Sequence, residues 1–478
     1  MRSLHSRYDP QGEAERYLAA IPIPPETRCF ILIEPGLGYM IPVLARRFPG
    51  ARIIALHAAS PAEGDLPAEQ NGKAVHWDPS LRLSLEDFLE GELEEAGQGG
   101  LSGGEPVRII EWRPALDRYG KSYADLLAAA AAVIRRFDAG RRTLRAFGRR
   151  WFRNFFRNLS LLHSFPVYRK LGVPVLITGA GPSLEESLPL IKKIREQGGC
   201  FIIAASSSFM ALLNRGIVPD LVLSTDGGSW ALLHLYELFR AGPGGAPFAM
   251  AAAFSAALPS QCGDLPILGI SDGSLWQGFI LRALGVPHLV LPQRGTVTAT
   301  ALDLAFALGP ERVCIAGMDL DIQDIRSHCR PYSFDRLLWE GASRFHSGYS
   351  RLFSRCFAMK EGGSYRVYAE WFAAQLASYP GRLYSLGKNN PLFAGLPRAI
   401  SGMPAGGPGG EYLIRRAPVG ITAAAALDLL KTGLENPKTG PSLQGELGPL
   451  LLPGEKNAGP GELWEAARSL VPGGGARG

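Results

Sequence analysis

The segment formed by residues 173–191 constrains the fold of this chain more than any other. It begins as an apolar run over 173–177, breaks into a glycine turn at 179–183 and continues with apolar residues at helical spacing. This pattern predicts a strand, a tight turn and a helix start, where free N–H groups favour an anion. A turn without ligand, in which Ser183 and Glu186 form a capping box, has the same pattern, so both interpretations stay open.

Strand and helix signals alternate over residues 173–320. Strands are predicted near residues 173–178, 200–205, 221–224, 248–252, 267–270, 288–291 and 313–316, with helices such as 207–215 and 298–308 between them. Such alternation predicts an α/β fold whose central domain is a doubly wound, Rossmann-like parallel sheet. Ligands of these sheets bind at the carboxyl ends of the strands.

Changes in composition divide the chain into five predicted regions. These are an N-terminal Rossmann-like domain with an arm (1–120), a helical linker (121–172), the central nucleotide-binding catalytic domain (173–320), a mainly helical region (321–400) and a Gly/Pro-rich, partly disordered tail (401–478). In the first domain a glycine turn with Gly36 and Gly38 follows a buried strand. Its GxG is short and no acidic residue ends the next strand, so the pattern is weak evidence for a dinucleotide or S-adenosylmethionine site.

Composition favours a cytoplasmic protein. The 478 residues are 46% hydrophobic and carry a formal net charge of +6, which suits anionic small molecules at least as well as nucleic acid. None of the six cysteines forms a CxxC pair, so buried free thiols in a reducing compartment are expected. We predict no signal peptide, and no membrane span because no apolar run reaches about 18 residues.

A basic run with interleaved aromatic residues occupies the linker between residues 141 and 157. One interpretation is nucleic-acid binding. The favoured one is a helix whose aromatic face packs on a domain while its arginines face water, because aromatics at helical spacing are usually core. We therefore expect no nucleic-acid partner.

Several polar or small residues follow the predicted strands of the central domain. They are Gly179, Gly181, Pro182, Ser183 and Leu184 after the first strand, Ser206, Ser207 and Ser208 after the second, Asp226 after the third, Thr296 and Thr298 before a helix, and Asp319, Asp321 and His328 at and beyond the last. A parallel sheet would bring these strand ends to one edge.

As a set, these motifs resemble the motility accessory factor family. The resemblance covers roughly residues 5–400 and rests on GAGPSL, GIVPDLVLSTD, GTVTATALDLAFALG, CIAGMDL and the loop histidine, with SRYDPQGEAERY, FILIEPGLGY and WFRNFFRNL outside the central domain. Those proteins are similar to flagellin glycosyltransferases that attach nonulosonic acids, and the glycine turn resembles the CMP-binding loop of a bacterial sialyltransferase family. The central domain is also similar to archaeal 6-hydroxymethylpterin diphosphokinases, which use ATP. Met318 and residues 227–230 depart from the family pattern and put the donor sugar in doubt.

The resemblance implies that a CMP-linked nonulosonic-type sugar is transferred to Ser or Thr of flagellin. His328 would be the general base, Asp226 and Asp319 further catalytic residues, and Arg326 and Arg330 would offset the donor charge. The nucleotide would contact Gly179, Gly181, Pro182, Ser183, Leu184, Ser206, Ser207, Thr296 and Thr298. Mg²⁺ is a candidate metal at Asp226, Asp319 or Asp321.

Two alternatives stay open. In the first, ATP and Mg²⁺ support pyrophosphoryl transfer to a pterin, with the three aspartates as metal ligands. In the second, the chain is a non-catalytic assembly factor that binds flagellin.

Overall fold

The structure is a computed structural model that falls into two compact units. It describes residues 4–25, 27–60, 73–98, 107–168, 171–198, 200–240, 249–292, 294–361, 365, 368–369, 372, 381–387, 396, 412–418, 421–452 and 458–471. The first unit comprises Met1–Arg149 and Lys431–Ala467, and the second comprises Arg150–Leu430 and Arg468–Gly478.

The first unit is built on a small parallel sheet. Its strands are β1 (Cys29–Ile33), β2 (Arg52–Leu56), β3 (Val75–Trp77) and β4 (Val107–Glu111), in the order β3-β2-β1-β4. Its helices include α1 (Pro10–Ala20), α2 (Met40–Arg47), α3 (Leu85–Gln98) and α4 (Pro114–Tyr119). Strand β1 is wholly buried, as expected for a parallel strand covered on both faces. The predicted Rossmann-like N-terminal fold is confirmed.

The glycine turn of the first unit is filled by a side chain of the same unit. The imidazole Nε2 of His5 accepts a hydrogen bond from the Leu37 N–H at 3.0 Å. A Cβ built on Gly36 would lie 2.4 Å from that nitrogen, and Gly36 has a φ of +61°. These glycines therefore accommodate the His5 ring and the turn itself.

The long helix α5 (Lys121–Leu161) carries the aromatic residues of the basic run. Phe152, Phe155 and Phe156 are fully buried, and the ring of Phe155 lies 4.7 Å from that of Trp276. The interpretation of this segment as a helix with a packed aromatic face is confirmed.

The second unit contains an eight-stranded, all-parallel sheet. The strands are β6 (Val175–Thr178), β7 (Phe201–Ala205), β8 (Leu221–Ser224), β9 (Ala249–Ala253), β10 (Ile267–Ser271), β11 (Leu289–Val290), β12 (Val313–Ala316) and β13 (Leu383–Ser385). Their order is β11-β10-β9-β8-β7-β6-β12-β13. The predicted doubly wound sheet is confirmed; β13 was not predicted, since its region was expected to be mainly helical.

Helices and a two-stranded antiparallel sheet complete this unit. The helices are α6 (Leu184–Glu196), α7 (Phe209–Leu213), α8 (Leu232–Arg240), α9 (Leu275–Ala283), α10 (Val297–Ala307), α11 (Asp335–Glu340) and α12 (Gly348–Glu361). Strand β5 (Ser164–Tyr168) pairs antiparallel with β14 (Tyr412–Arg416). Among the described residues, no helix combines the length and the apolar character needed to cross a bilayer.

The strand order places the ligand-binding edge between β6 and β12. Strands β6 to β11 follow one another outward in one direction, and β12 returns to the other side of β6. The order therefore reverses between β6 and β12, and the loops after these two strands diverge at the position where doubly wound sheets bind ligands.

In its described residues, the region predicted to be a partly disordered tail contains three helices. They are α13 (Ala423–Glu435), α14 (Gly440–Leu451) and α15 (Pro460–Leu470). Leu443, Leu447 and Leu450 recur at helical spacing and are buried. Helix α14 accommodates a proline because proline is tolerated in the first turn of a helix, where one stands.

Asn158 ties the end of α5 to the loop after β9. Its buried Nδ2 donates to the carbonyl oxygens of Phe254 (2.7 Å) and Ala256 (2.8 Å). Asn158→Ala leaves both buried carbonyls without this donor, so we expect a loss of about 3 kcal/mol in unfolding free energy. Urea denaturation measures it, with the exposed Asn214→Ala as the control; equal midpoints for the two variants would contradict the assignment.

Candidate functional site

The glycine turn after β6 packs directly on the turn after β12. The Gly179 N–H donates to the Ala316 oxygen and the Gly181 N–H to the Gly317 oxygen, both at 2.8 Å. A Cβ built on Gly179 would lie 2.5 Å from the Gly317 oxygen. The glycines thus permit close approach of two backbones. Neither N–H is free to donate to a phosphate in this arrangement, and the predicted phosphate contact of the turn stays a prediction.

Asp319 fills the position where an anion was predicted. Its Oδ2 accepts hydrogen bonds from the hydroxyl (2.8 Å) and the N–H (3.2 Å) of Ser183, and its Oδ1 accepts from Nε2 of Gln323 (2.8 Å). Burial is the main cause that raises the pKa of this carboxyl, against the hydrogen bonds from Ser183. The predicted side-chain cap by Ser183 is absent, because its hydroxyl is directed to Asp319.

The loop of residues 321–330 folds over the start of α6. The Cys329 N–H donates to the Ala180 oxygen at 2.8 Å. Glu185, in the first turn of α6, accepts from the Arg326 guanidinium (2.9 Å) and from the Arg330 N–H (2.8 Å). The structure therefore brings the loop that carries His328 to the glycine turn.

His328 is held by two neighbours of the same loop. Its ring stacks on that of Tyr332 at a centroid distance of 4.1 Å, and its Nδ1 lies 2.8 Å from the Ser327 hydroxyl. Burial, with contributions from Arg355 and His234, lowers the pKa of His328 to about 3. The imidazole is therefore neutral but weakly basic in the free protein.

His328 lines a small cleft with a cavity volume of about 30 Å³. The lining includes Arg326, Arg330, Tyr332, Arg355 and Cys356. The Arg355 guanidinium lies 5.5 Å from the centroid of the Phe334 ring and hydrogen-bonds the Tyr332 hydroxyl. Arg326 is paired with Glu185, and Asp335 adds an acidic group to the lining. Arg330 and Arg355 beside the neutral imidazole suit an anionic ligand such as a phosphate or a carboxylate.

Sequence reasoning missed His234 and Arg355. His234, on α8, is 8% exposed, and its ring lies 5.3 Å from Tyr332 and 5.0 Å from Phe334. Burial, followed by Arg355, lowers the pKa of His234 to about 4. Both residues lie in helices of unremarkable amphipathic pattern, so no sequence signal marked them.

Thr296 and Thr298 lie at the start of α10. The Thr296 hydroxyl accepts from the Ala299 N–H (3.1 Å), so it caps the helix. The Thr298 Cγ2 would lie 3.4 Å from a Cβ on Gly179, which places this residue beside the glycine turn.

The serines after β7 form a short 3₁₀ turn. The hydroxyl of Ser208 lies 2.9 Å from that of Thr178, which joins the ends of β6 and β7. Ser206 is buried and Ser207 is half-buried at this edge.

Asp226 is exposed and forms a local turn, since its Oδ1 accepts from the Gly228 N–H at 2.7 Å. Trp230, which follows on this segment, contacts Phe334 of the cleft with ring centroids 6.3 Å apart. No group of three or more His, Cys, Asp or Glu side chains suited to a metal occurs in the described part of the chain. Mg²⁺ commonly binds through one or two carboxylates and the phosphates of its substrate, so Asp226, Asp319 and Asp321 stay the predicted candidates for it.

Comparison with known proteins identifies the central domain. Residues 149–324 match the family model described as 6-hydroxymethylpterin diphosphokinase MptE-like. This segment is therefore similar to the MptE-like family. The resemblance of the central region to the diphosphokinases is therefore confirmed, and the glycine turn, Asp226 and Asp319 all lie inside the domain.

Two further similarities extend beyond the family model. The chain is 31% identical over 229 residues to an uncharacterized protein of Treponema pallidum (strain Nichols), which covers 47% of each protein. The chain thus spans about half the length of this relative. A solved structure of a MAf glycosyltransferase from Magnetospirillum magneticum AMB-1 aligns with 93% of this chain and 72% of its own, at 14% identity and a TM-score of 0.49.

Proposed function

We propose that this protein is a motility-associated glycosyltransferase of the motility accessory factor type. It transfers a nucleotide-activated sugar, CMP-linked and of the nonulosonic type, to Ser or Thr of flagellin in the cytoplasm. The observation that carries the proposal is the cleft in which His328 lies beside Arg330 and Arg355, next to the glycine turn. The motif resemblance supplies the donor and acceptor classes.

The cleft provides the groups that glycosyl transfer requires. The acceptor hydroxyl gives its proton to Nε2 of His328 as its oxygen bonds to the anomeric carbon, and the bond from that carbon to the CMP phosphate oxygen breaks. For this step Nδ1–H of His328 donates to the Ser327 hydroxyl, which leaves Nε2 as the acceptor. Arg330 and Arg355 stabilise the charge on the leaving phosphate.

The nucleotide portion would lie along the switch point between β6 and β12. Since the N–H groups of Gly179 and Gly181 are engaged, Thr298, Ser206 and Ser207 are the groups we propose for the ribose and base. Asp319 acts through Ser183 as a positioning residue. Asp226, which is exposed and follows β8, is the residue that we propose to contact the sugar.

A diphosphokinase activity is the second candidate, because the family model bears that description. Its chemistry relies on Mg²⁺, for which Asp226, Asp319 and Asp321 stay the predicted ligands. Thermal shift and saturation-transfer NMR with CMP, CDP, UDP and ATP plus Mg²⁺ separate the two. A response to CMP alone supports the glycosyltransferase; a response to ATP plus Mg²⁺ and not to CMP would replace it by the kinase.

The low pKa of His328 predicts an unusual pH profile. A base must be deprotonated, so kcat/KM falls only as the pH drops through the pKa of the free enzyme. With that pKa at about 3, we expect no fall in kcat/KM between pH 7 and pH 5. Arg355→Gln removes one cause of the lowered pKa and moves the acid limb upward. An acid limb near pH 6.5 in the unmodified protein would contradict the lowered pKa of His328.

A further inference from the structure

Helix α12 exposes a row of aromatic side chains. Tyr349, Phe353 and Phe357 recur at every fourth residue and are 64%, 56% and 54% exposed. The rings of Phe353 and Phe357 stack at 6.3 Å with an interplanar angle of 16°. Phe345, just before the helix, is 90% exposed. We call these four residues the aromatic stripe; they form one continuous face because residues four apart are neighbours on a helix.

Helix α11 enlarges this apolar surface. Leu337 and Trp339 are also exposed, and the ring of Trp339 lies against Gly348, where a Cβ would be 2.0 Å from it. A single exposed apolar residue is ordinary on a soluble protein, whereas a contiguous group marks an interaction surface. Six large apolar side chains within residues 337–357 form such a group.

The aromatic stripe borders the cleft of His328. Leu352 and Cys356 line that cleft, and they belong to the same helix. At 100° per residue they lie within about 60° of Tyr349 around the helix axis, whereas Arg355 lies further round toward the cleft. One face of α12 therefore forms a wall of the cleft, and the adjoining face carries the stripe.

The charges around the stripe define what it would bind. Over the two helices and their connection, residues 335–361, the sequence has five basic and three acidic residues, a net charge of +2; the basic ones are Arg336, Arg344, Arg351, Arg355 and Lys360. A complementary partner presents apolar side chains flanked by acidic ones. An amphipathic helix has this arrangement when one of its faces is apolar.

We propose that the aromatic stripe docks the polypeptide acceptor through an amphipathic segment with an apolar face and acidic flanks. The docked segment holds a neighbouring Ser or Thr at the cleft, beside His328. The inference rests on the proposed function for the identity of the acceptor, but the docking itself is measured apart from catalysis.

The test compares two measurements. Binding of unglycosylated flagellin is measured by surface plasmon resonance, and CMP release is measured as hydrolysis of the donor by water in the absence of acceptor. We expect Phe353→Ser/Phe357→Ser to raise the Kd for flagellin roughly tenfold or more. CMP release should be unchanged. Tyr8→Ser, at a site 99% exposed in the first unit, is the matched control and keeps full binding. His328→Ala keeps binding and loses transfer.

The outcomes separate the two proposals. Failure of sugar transfer to flagellin, with stripe-dependent flagellin binding intact, contradicts the proposed activity and leaves the docking surface standing. An unchanged Kd in the double variant, or no flagellin binding by the unmodified protein, overturns the docking proposal. Sedimentation that shows a dimer dissolved by the double variant, with flagellin binding intact, assigns the stripe to self-association instead. If the double variant folds poorly, the Kd of Tyr349→Ser for flagellin tests the aromatic stripe independently.

Discussion

We expect His328→Ala to lower kcat for sugar transfer by roughly 10²–10⁴-fold, the contribution of a positioned general base. The variant removes the group that takes the proton of the acceptor hydroxyl. It leaves the glycine turn and its contacts with Asp319 in place, so CMP affinity stays unchanged. Single-turnover glycosylation measures the first effect and isothermal titration with CMP the second.

The control for this variant is His346→Ala, which removes an exposed histidine from the loop before α12. Ser327→Ala gives an intermediate result, because it removes the partner of Nδ1 and leaves the base itself. Its pH profile changes together with kcat, which a purely structural role would not produce. If His328→Ala transfers sugar at the normal rate, His328 is not the base.

The parallel sheet was predictable because its strands carry local signals. Each strand from β6 to β10 and β12 is a short, wholly buried apolar run, which is what a strand covered on both faces requires. Strand β13 has three residues, and the chain around it is rich in aromatic and basic residues. Its place in the sheet depends on pairing with β12, a long-range contact that a local pattern does not contain.

The candidate site was predictable in its location and not in its hydrogen bonds. Glycines and a serine before a helix predicted free N–H donors and a cap. In the structure the partner of Ser183 is Asp319, which lies 136 residues away in sequence. An aspartate at the end of another strand thus occupies the place of the expected anion. Local propensity does not show such tertiary competition.

The basicity of His328 depends on the same kind of distant contact. Its sequence position marked it as a loop histidine, for which a pKa near 6.5 is ordinary. Burial is the main cause that lowers the pKa, followed by Arg355 on α12 and His234 on α8. Each comes from a different segment, and they meet only once the sheet has formed.

The packed glycine turns predict the second large effect. We expect Gly179→Ala to destabilise the second unit by about 3 kcal/mol, because the new Cβ would lie 2.5 Å from the Gly317 oxygen. That oxygen belongs to the backbone and does not move as a flexible side chain would. The turns after β6 and β12 must separate, which also displaces Asp319 from Ser183 and weakens CMP binding.

Urea denaturation and CMP titration measure these two effects, and Gly172→Ala is the matched control. A Cβ at Gly172 would meet nothing within 4 Å, so this variant keeps both the unfolding midpoint and the CMP affinity. If Gly179→Ala is as stable as the control yet no longer binds CMP, the turn contacts the nucleotide directly and its N–H bonds to β12 open on binding. If the unfolding midpoint and the CMP affinity are both unchanged, the close packing of the two turns does not stabilise the loops after β6 and β12.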